Sequence, residues 1–91
     1  MDNVDLLILG AYVKCSSYRE KIVNCLADKN AMMPTELAKS CGIRANHISK
    51  VLRELKDKGI VVCLNDDARK GRLYCLTDLG RDVKGVLDDN F

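Results

Sequence analysis

The sequence predicts a mainly helical α+β fold: a three-helix core, a β-hairpin, and a flanking element at each end. Three observations predict it. Apolar residues recur at helical spacing in three segments: Ile22, Val23, Leu26 and Ala27; then Leu37, Ala38 and Cys41; then Ile48, Val51, Leu52 and Leu55. Helix punctuation separates these segments, with Pro34 before the second, Gly42 after it and Gly59 after the third. Two β-rich runs, IVVCLN at 60–65 and RLYCLT at 72–77, then flank the polar connection DDARKG, as in a hairpin.

Taken in order, residues 1–15 form an apolar segment whose periodicity suits helix or strand, with helix the preferred reading. It holds Val4, Leu6, Leu7, Ile8, Leu9, Tyr12 and Val13, more apolar surface than the end of a small monomer hides easily. Ser17 and Glu20 have the spacing of a capping box, which predicts a helix over about 18–29. Residues 30–33 are a break, with room for a minimal strand. Pro34 suits the first position of the next helix, where its missing N–H costs nothing, and Gly42 suits a left-handed end. A longer helix follows over 45–58, apolar on one stripe and polar elsewhere. The hairpin occupies 60–77, and Thr77 is placed to cap a last helix at 78–91 bearing Leu79, Val83, Val86 and Leu87.

Ninety-one residues make one domain, spanning 1–91. The longest apolar run, 6–13, is about eight residues, against the roughly 20 a membrane-spanning helix needs. Asp2 and Asp5 precede that run where a secretory signal would carry basic residues, so the cytoplasm is the expected compartment. The five cysteines, Cys15, Cys25, Cys41, Cys63 and Cys75, include no Cys-x-x-Cys pair, and His47 is the one histidine. That pattern suggests no zinc site and no cofactor, and most of these thiols read as small apolar core residues. No nucleophile–base set and no phosphate loop stands out, so an enzyme is not expected.

Net charge is +2, but it is unevenly spread: residues 1–41 balance to zero, 42–58 carry +3, 59–77 carry +1, and 78–91 carry −2. A positive region between 42 and 77 suits a phosphate backbone, and a solvated helix face is the plainer reading of the same charges.

The segment from Pro34 to Leu55 narrows the choice. Ala38 is small enough to let a second helix cross closely, Gly42 permits the turn, and Ile43 plugs the gap beneath it. Ile48 and Val51 then face inward at +6 and +9 from the glycine, the pattern of a helix-turn-helix. Here TELAKSCGIRANHISKVLRELKDKGIVVCLN, followed by GRLYCLTDLG, resembles the winged helix-turn-helix regulators common in archaea and, more distantly, MarR- and ArsR-type repressors. The resemblance covers about residues 16–83 and is most specific at Cys41-Gly42-Ile43, RELKDKGIV and KGRLYCLTDLG. It implies a winged helix-turn-helix, binding of double-stranded DNA, and a homodimer built from the N-terminal segment and the last helix. It implies no target gene and no effector.

In that arrangement helix 45–58 enters the major groove. Arg44, Asn46, His47, Ser49 and Lys50 lie near base edges, and Arg53 nears a phosphate. Arg69, Lys70 and Arg72 on the wing meet the backbone or a minor groove. Plainer readings stand beside these. Arg44 and Lys50 also fit as solvated charges, Asn46 and Ser49 as polar surface or capping residues, and His47 as a residue packed against the preceding helix. Arg53 has Asp57 at i+4 as a partner, and Asp66 and Asp67 dilute the wing's charge. Cys75 would be exposed on the wing if Tyr74 and Leu76 face inward, which would suit redox sensing. A winged helix that docks on protein and reads no DNA is the alternative from another class.

Overall fold

A computed structural model describes residues 3–90. The elements run α1 (Asn3–Lys14), α2 (Ser17–Lys29), β1 (Ala31–Met32), α3 (Pro34–Cys41), α4 (Ala45–Asp57), β2 (Val61–Cys63), β3 (Tyr74–Leu76) and α5 (Asp78–Asn90). The N-terminal segment is helical, in line with the preferred reading of its sequence. Met1, Asp2 and Phe91, which the expected 1–15 and 78–91 elements included, lie outside the described residues.

One core unites the helices. Ile22, Val23 and Leu26 of α2, Leu37 and Cys41 of α3, Ile48, Val51, Leu52 and Leu55 of α4, and Val83 and Leu87 of α5 are all buried together. The helical stripes read from the sequence are therefore the faces that meet. Val13 of α1 and Ile43 of the turn complete the cluster. Around it lies a small antiparallel sheet in the order β1-β3-β2. Ala31 pairs with Cys75 and Met32 with Tyr74, while Val61, Val62 and Cys63 face Leu76, Cys75 and Tyr74.

Three sequence expectations need correction. The cap of α2 is Ser16, not Ser17. Ser16 stays extended and its Oγ accepts from the Arg19 N–H at 3.4 Å, while Ser17 is already helical and Glu20 pairs with Lys14 at 3.1 Å. The chain leaves α1 through a hydrogen bond from the Ser16 N–H to the Val13 carbonyl, and that tight exit puts the non-helical residue one place earlier. Second, the strands are shorter than the β-rich runs, because only Val61–Cys63 and Tyr74–Leu76 pair in the sheet. One more backbone bond, from the Leu64 N–H to the Leu73 carbonyl at 2.8 Å, holds the base of the wing. Third, Cys75 is half-buried and not exposed, since β3 is the central strand and has neighbours on both sides.

Two side chains lock the helices in ways that no periodicity reveals. Arg19 lies 3.9 Å over the Tyr12 ring, donates to the Tyr12 carbonyl at 3.0 Å and pairs with Glu54 at 3.4 Å, tying α1, α2 and α4 together. Thr77 caps α5, as expected, by accepting from the Gly80 N–H at 2.9 Å. The same hydroxyl donates back to the Gly59 carbonyl, joining the end of the helix-turn-helix to the start of α5. Gly80 is required there, since a Cβ would overlap the Ile60 carbonyl.

Candidate nucleic-acid interface

The turn between α3 and α4 sets the geometry of the site. Gly42 has φ +67°, the left-handed region that only glycine enters freely, and the Ile43 N–H closes the turn on the Ala38 carbonyl at 3.1 Å. Ile43 is then buried beneath the turn and Ala38 is half-buried. This positions α4 across α3 with its apolar stripe inward and the rest of its surface in solvent. At the start of α3, Glu36 Oε1 accepts from the Met33 N–H at 2.9 Å, one half of a capping box.

Arg44 is the N-cap of α4 and offers no side-chain acceptor to the first turn. The first turn there carries the positive end of the helix dipole, and the Arg44 side chain is itself exposed. Asn46, Ser49, Lys50 and Arg53 are exposed too, and with Lys56 and Asp57 they follow the i, i+3, i+4, i+7 rhythm of a single face. His47 and Glu54 belong to the flank next to α2. The His47 ring is 5.6 Å from that of Tyr18 at a tilted angle, and Glu54 is held by Arg19. The plainer reading of His47 has it packing on the preceding helix; its ring contact is with α2 instead, and the residue stays exposed. Among the described residues Arg44, Lys50, Arg53, Arg69 and Lys70 have no carboxylate within ion-pair distance. The alternative pairing of Arg53 with Asp57 does not form.

The wing is built around Asn65. Its Oδ1 accepts from the Leu73 N–H at 2.8 Å and its Nδ2 donates to the Gly71 carbonyl at 3.1 Å, bridging the two sides of the loop. Arg72 Nε donates to the Ala68 carbonyl at 2.7 Å, which fixes the loop from within. Lys56 of α4 pairs with Asp66 of the wing at 3.2 Å, and that ammonium holds the Asp66 carboxyl below the usual carboxylate range. Asp66 thus joins the wing to α4, so this acid is structural as well as diluting.

These elements enclose a cleft of about 510 Å³ between α4 and the wing. Ser49, Arg53 and Lys56 line one wall, and Arg69, Arg72 and Tyr74 the other. The structure thus brings Ser49, Arg53, Arg69 and Arg72 to one place. Arg44 and Asn46 precede the cleft along α4, and Lys50 follows Ser49 without lining it. Lys70 lies on a neighbouring groove with Met33, Thr35 and Arg69 beside the start of α3. Sequence reasoning missed Lys56 and Tyr74. The spacing Ser49–Arg53–Lys56 was a signal for the lysine, but nothing local marked Tyr74 as a wall of the cleft.

The chain matches no protein-family model and no curated protein sequence. Solved structures do share its fold. One is RV1404 from Mycobacterium tuberculosis, with TM-score 0.73 and 18% identity over 92% of this chain and 62% of that one. Another is the MarR-family transcriptional regulator SPO1453 from Silicibacter pomeroyi DSS-3, with TM-score 0.71 and 22% identity over 91% of this chain and 61% of that one. A third is the AntR antimony-specific transcriptional repressor, with TM-score 0.70 and 23% identity over 90% of this chain and 74% of that one. The chain spans about three-fifths of the length of the first two. Its fold is the winged helix-turn-helix seen in MarR-family regulators, as the sequence pattern implied.

Proposed function

We propose that this chain is a transcription regulator that binds double-stranded DNA sequence-specifically as a homodimer. The observation that carries the reading is the set of unpaired cations on two facing elements. Arg44, Lys50 and Arg53 on the outer face of α4, and Arg69 and Lys70 on the wing, are exposed without acidic partners, while two of the nearby acids, Glu54 and Asp66, are engaged by Arg19 and Lys56. A protein-docking helix has no need to keep so many cations free, whereas a phosphate backbone takes them up and releases counterions.

In this reading α4 lies in the major groove. Arg44, Asn46, Ser49 and Lys50 reach base edges, His47 contacts the edge of the site beside Tyr18, and Arg53 meets a phosphate. Arg69, Lys70 and Arg72 rest on the backbone or the next minor groove, with the Lys56–Asp66 pair holding the wing at its distance from α4.

The dimer rests on α1. Val4, Leu7, Ile8 and Ala11 are exposed on one side of that helix, and Val4 and Ile8 are 63% and 61% accessible. This is an i, i+3, i+4, i+7 stripe facing away from the core, and a second copy of the chain is the partner that would cover it. A two-fold dimer places its two α4 helices one DNA turn apart, roughly 34–36 Å.

The test is a salt titration of binding to random-sequence duplex DNA by fluorescence anisotropy. The expected slope of log affinity against log salt is steep, and Arg53→Ala makes it shallower by about 0.9, for the one phosphate that is no longer neutralised. No binding at low salt with micromolar protein would overturn the reading and favour a protein-docking winged helix.

A further inference from the structure

We propose that Cys25 and Cys41 are a modification site, a dithiol that a small-molecule disulfide oxidises to an intramolecular disulfide joining α2 to the end of α3. The two sulfurs are 3.2 Å apart, with the Cys41 thiol donating to Cys25. Among the described residues no other thiols are so paired: Cys15 is exposed at the end of α1, Cys63 is buried in β2, and Cys75 lies in the central strand. A disulfide needs its sulfurs at about 2.05 Å, so closing the gap takes roughly 1 Å of movement, within reach of side-chain rotation and a slight shift of a helix end.

The surroundings assign the two thiols different tasks. Cys25 is half-buried and lines an open hollow of about 520 Å³ with Asn24, Ala27, Asp28 and Lys84, so a small reagent reaches it from solvent. Cys41 is buried behind it. Burial, and then the contact with Cys25, push the Cys41 thiol up to about 12, which keeps it protonated while Cys25 reacts. The chemistry takes two exchanges. Cys25 gives its proton to solvent and its thiolate attacks one sulfur of the reagent RSSR. A mixed disulfide forms and RS⁻ leaves, taking up a proton. The Cys41 sulfur then attacks the Cys25 sulfur, its proton passing to the second departing RS⁻. Two protein thiols lose two electrons and two protons, and RSSR becomes two RSH.

The site sits next to the turn that orients α4. Cys41 is the last residue of α3 and Gly42 is its left-handed cap, so drawing Cys41 toward α2 pulls on the start of the recognition helix. This consequence rests on the DNA-binding reading above, whereas the modification itself does not.

The experiment treats the reduced full chain with excess oxidised glutathione, digests it without reductant, and maps the products by mass spectrometry. The expected result is a linked pair of peptides holding Cys25 and Cys41, abolished in Cys25→Ser. Cys41→Ala should stop at the mixed disulfide on Cys25. The closed loop should raise Tm by about 10 °C, reversibly with dithiothreitol. Glutathione retained on Cys25 in the wild-type chain, or modification confined to Cys15, would overturn the proposal, and neither readout depends on a variant that folds. Should the disulfide map as expected while neither redox state binds DNA, the modification site stands and the DNA-binding reading fails.

Discussion

Helices α1 and α4 are almost equal in length, 12 and 13 residues, and their outer faces have opposite chemistry. On α4 the large apolar residues are spent inward: Ile48, Val51, Leu52 and Leu55 are buried, and the outer face holds Asn46, Ser49, Lys50, Arg53, Lys56 and Asp57. On α1 apolar residues face both ways, with Val13 buried in the core and Val4, Leu7 and Ile8 left in solvent. A polar outer face is content with water and, when cationic, with phosphate. An apolar outer face gains by being covered, at about 25 cal/mol for each Å² removed from water. One helix therefore suits a charged partner and the other a second apolar surface.

The sharpest way to break that comparison is to damage the inner face of α4. Ile48→Ala removes a fully buried side chain from the junction of the helix-turn-helix and should cost about 2–5 kcal/mol, measured by urea denaturation. A cost below about 1 kcal/mol would mean that α4 does not share the core as described. An intermediate effect is expected from Ile8→Asp on the outer face of α1. The site is exposed, so monomer stability should change by no more than about 0.5 kcal/mol. The dimer dissociation constant in sedimentation equilibrium should nonetheless rise at least about tenfold, or 1.4 kcal/mol. An unchanged dimer would place the interface elsewhere. The smallest effect tests how α1 hands over to α2. Ser16→Ala should cost about 1 kcal/mol of stability and Ser17→Ala only a few tenths, and the reverse order would restore Ser17 as the cap.

Much of this was legible because short-range rules decide it. Pro34, Gly42 and Gly59 mark the ends of helices through their own backbone limits, and the buried stripes of α2, α3 and α4 are those that helical periodicity picks out. The cap of α2 is not legible in the same way, because Ser16 and Ser17 are both good caps. The choice between them depends on the bond from Ser16 back to Val13, a matter of where α1 stops. The cations of α4 and the wing were legible as candidate site residues, but their freedom from acidic partners and the cleft that joins them were not, since neither is local.

The sequence by itself determined the order of helices and hairpin, the inward stripe of each core helix, the turn at Gly42 and the cap at Thr77, because each depends on residues within about one or two turns of one another. Only the tertiary structure decided which charges stay free, that Arg19 takes Glu54 and Lys56 takes Asp66, that Tyr74 walls a cleft with Arg53, and that Cys25 lies against Cys41. Those pairings join segments far apart in the chain. They exist only once the core has packed and fixed the distances between elements.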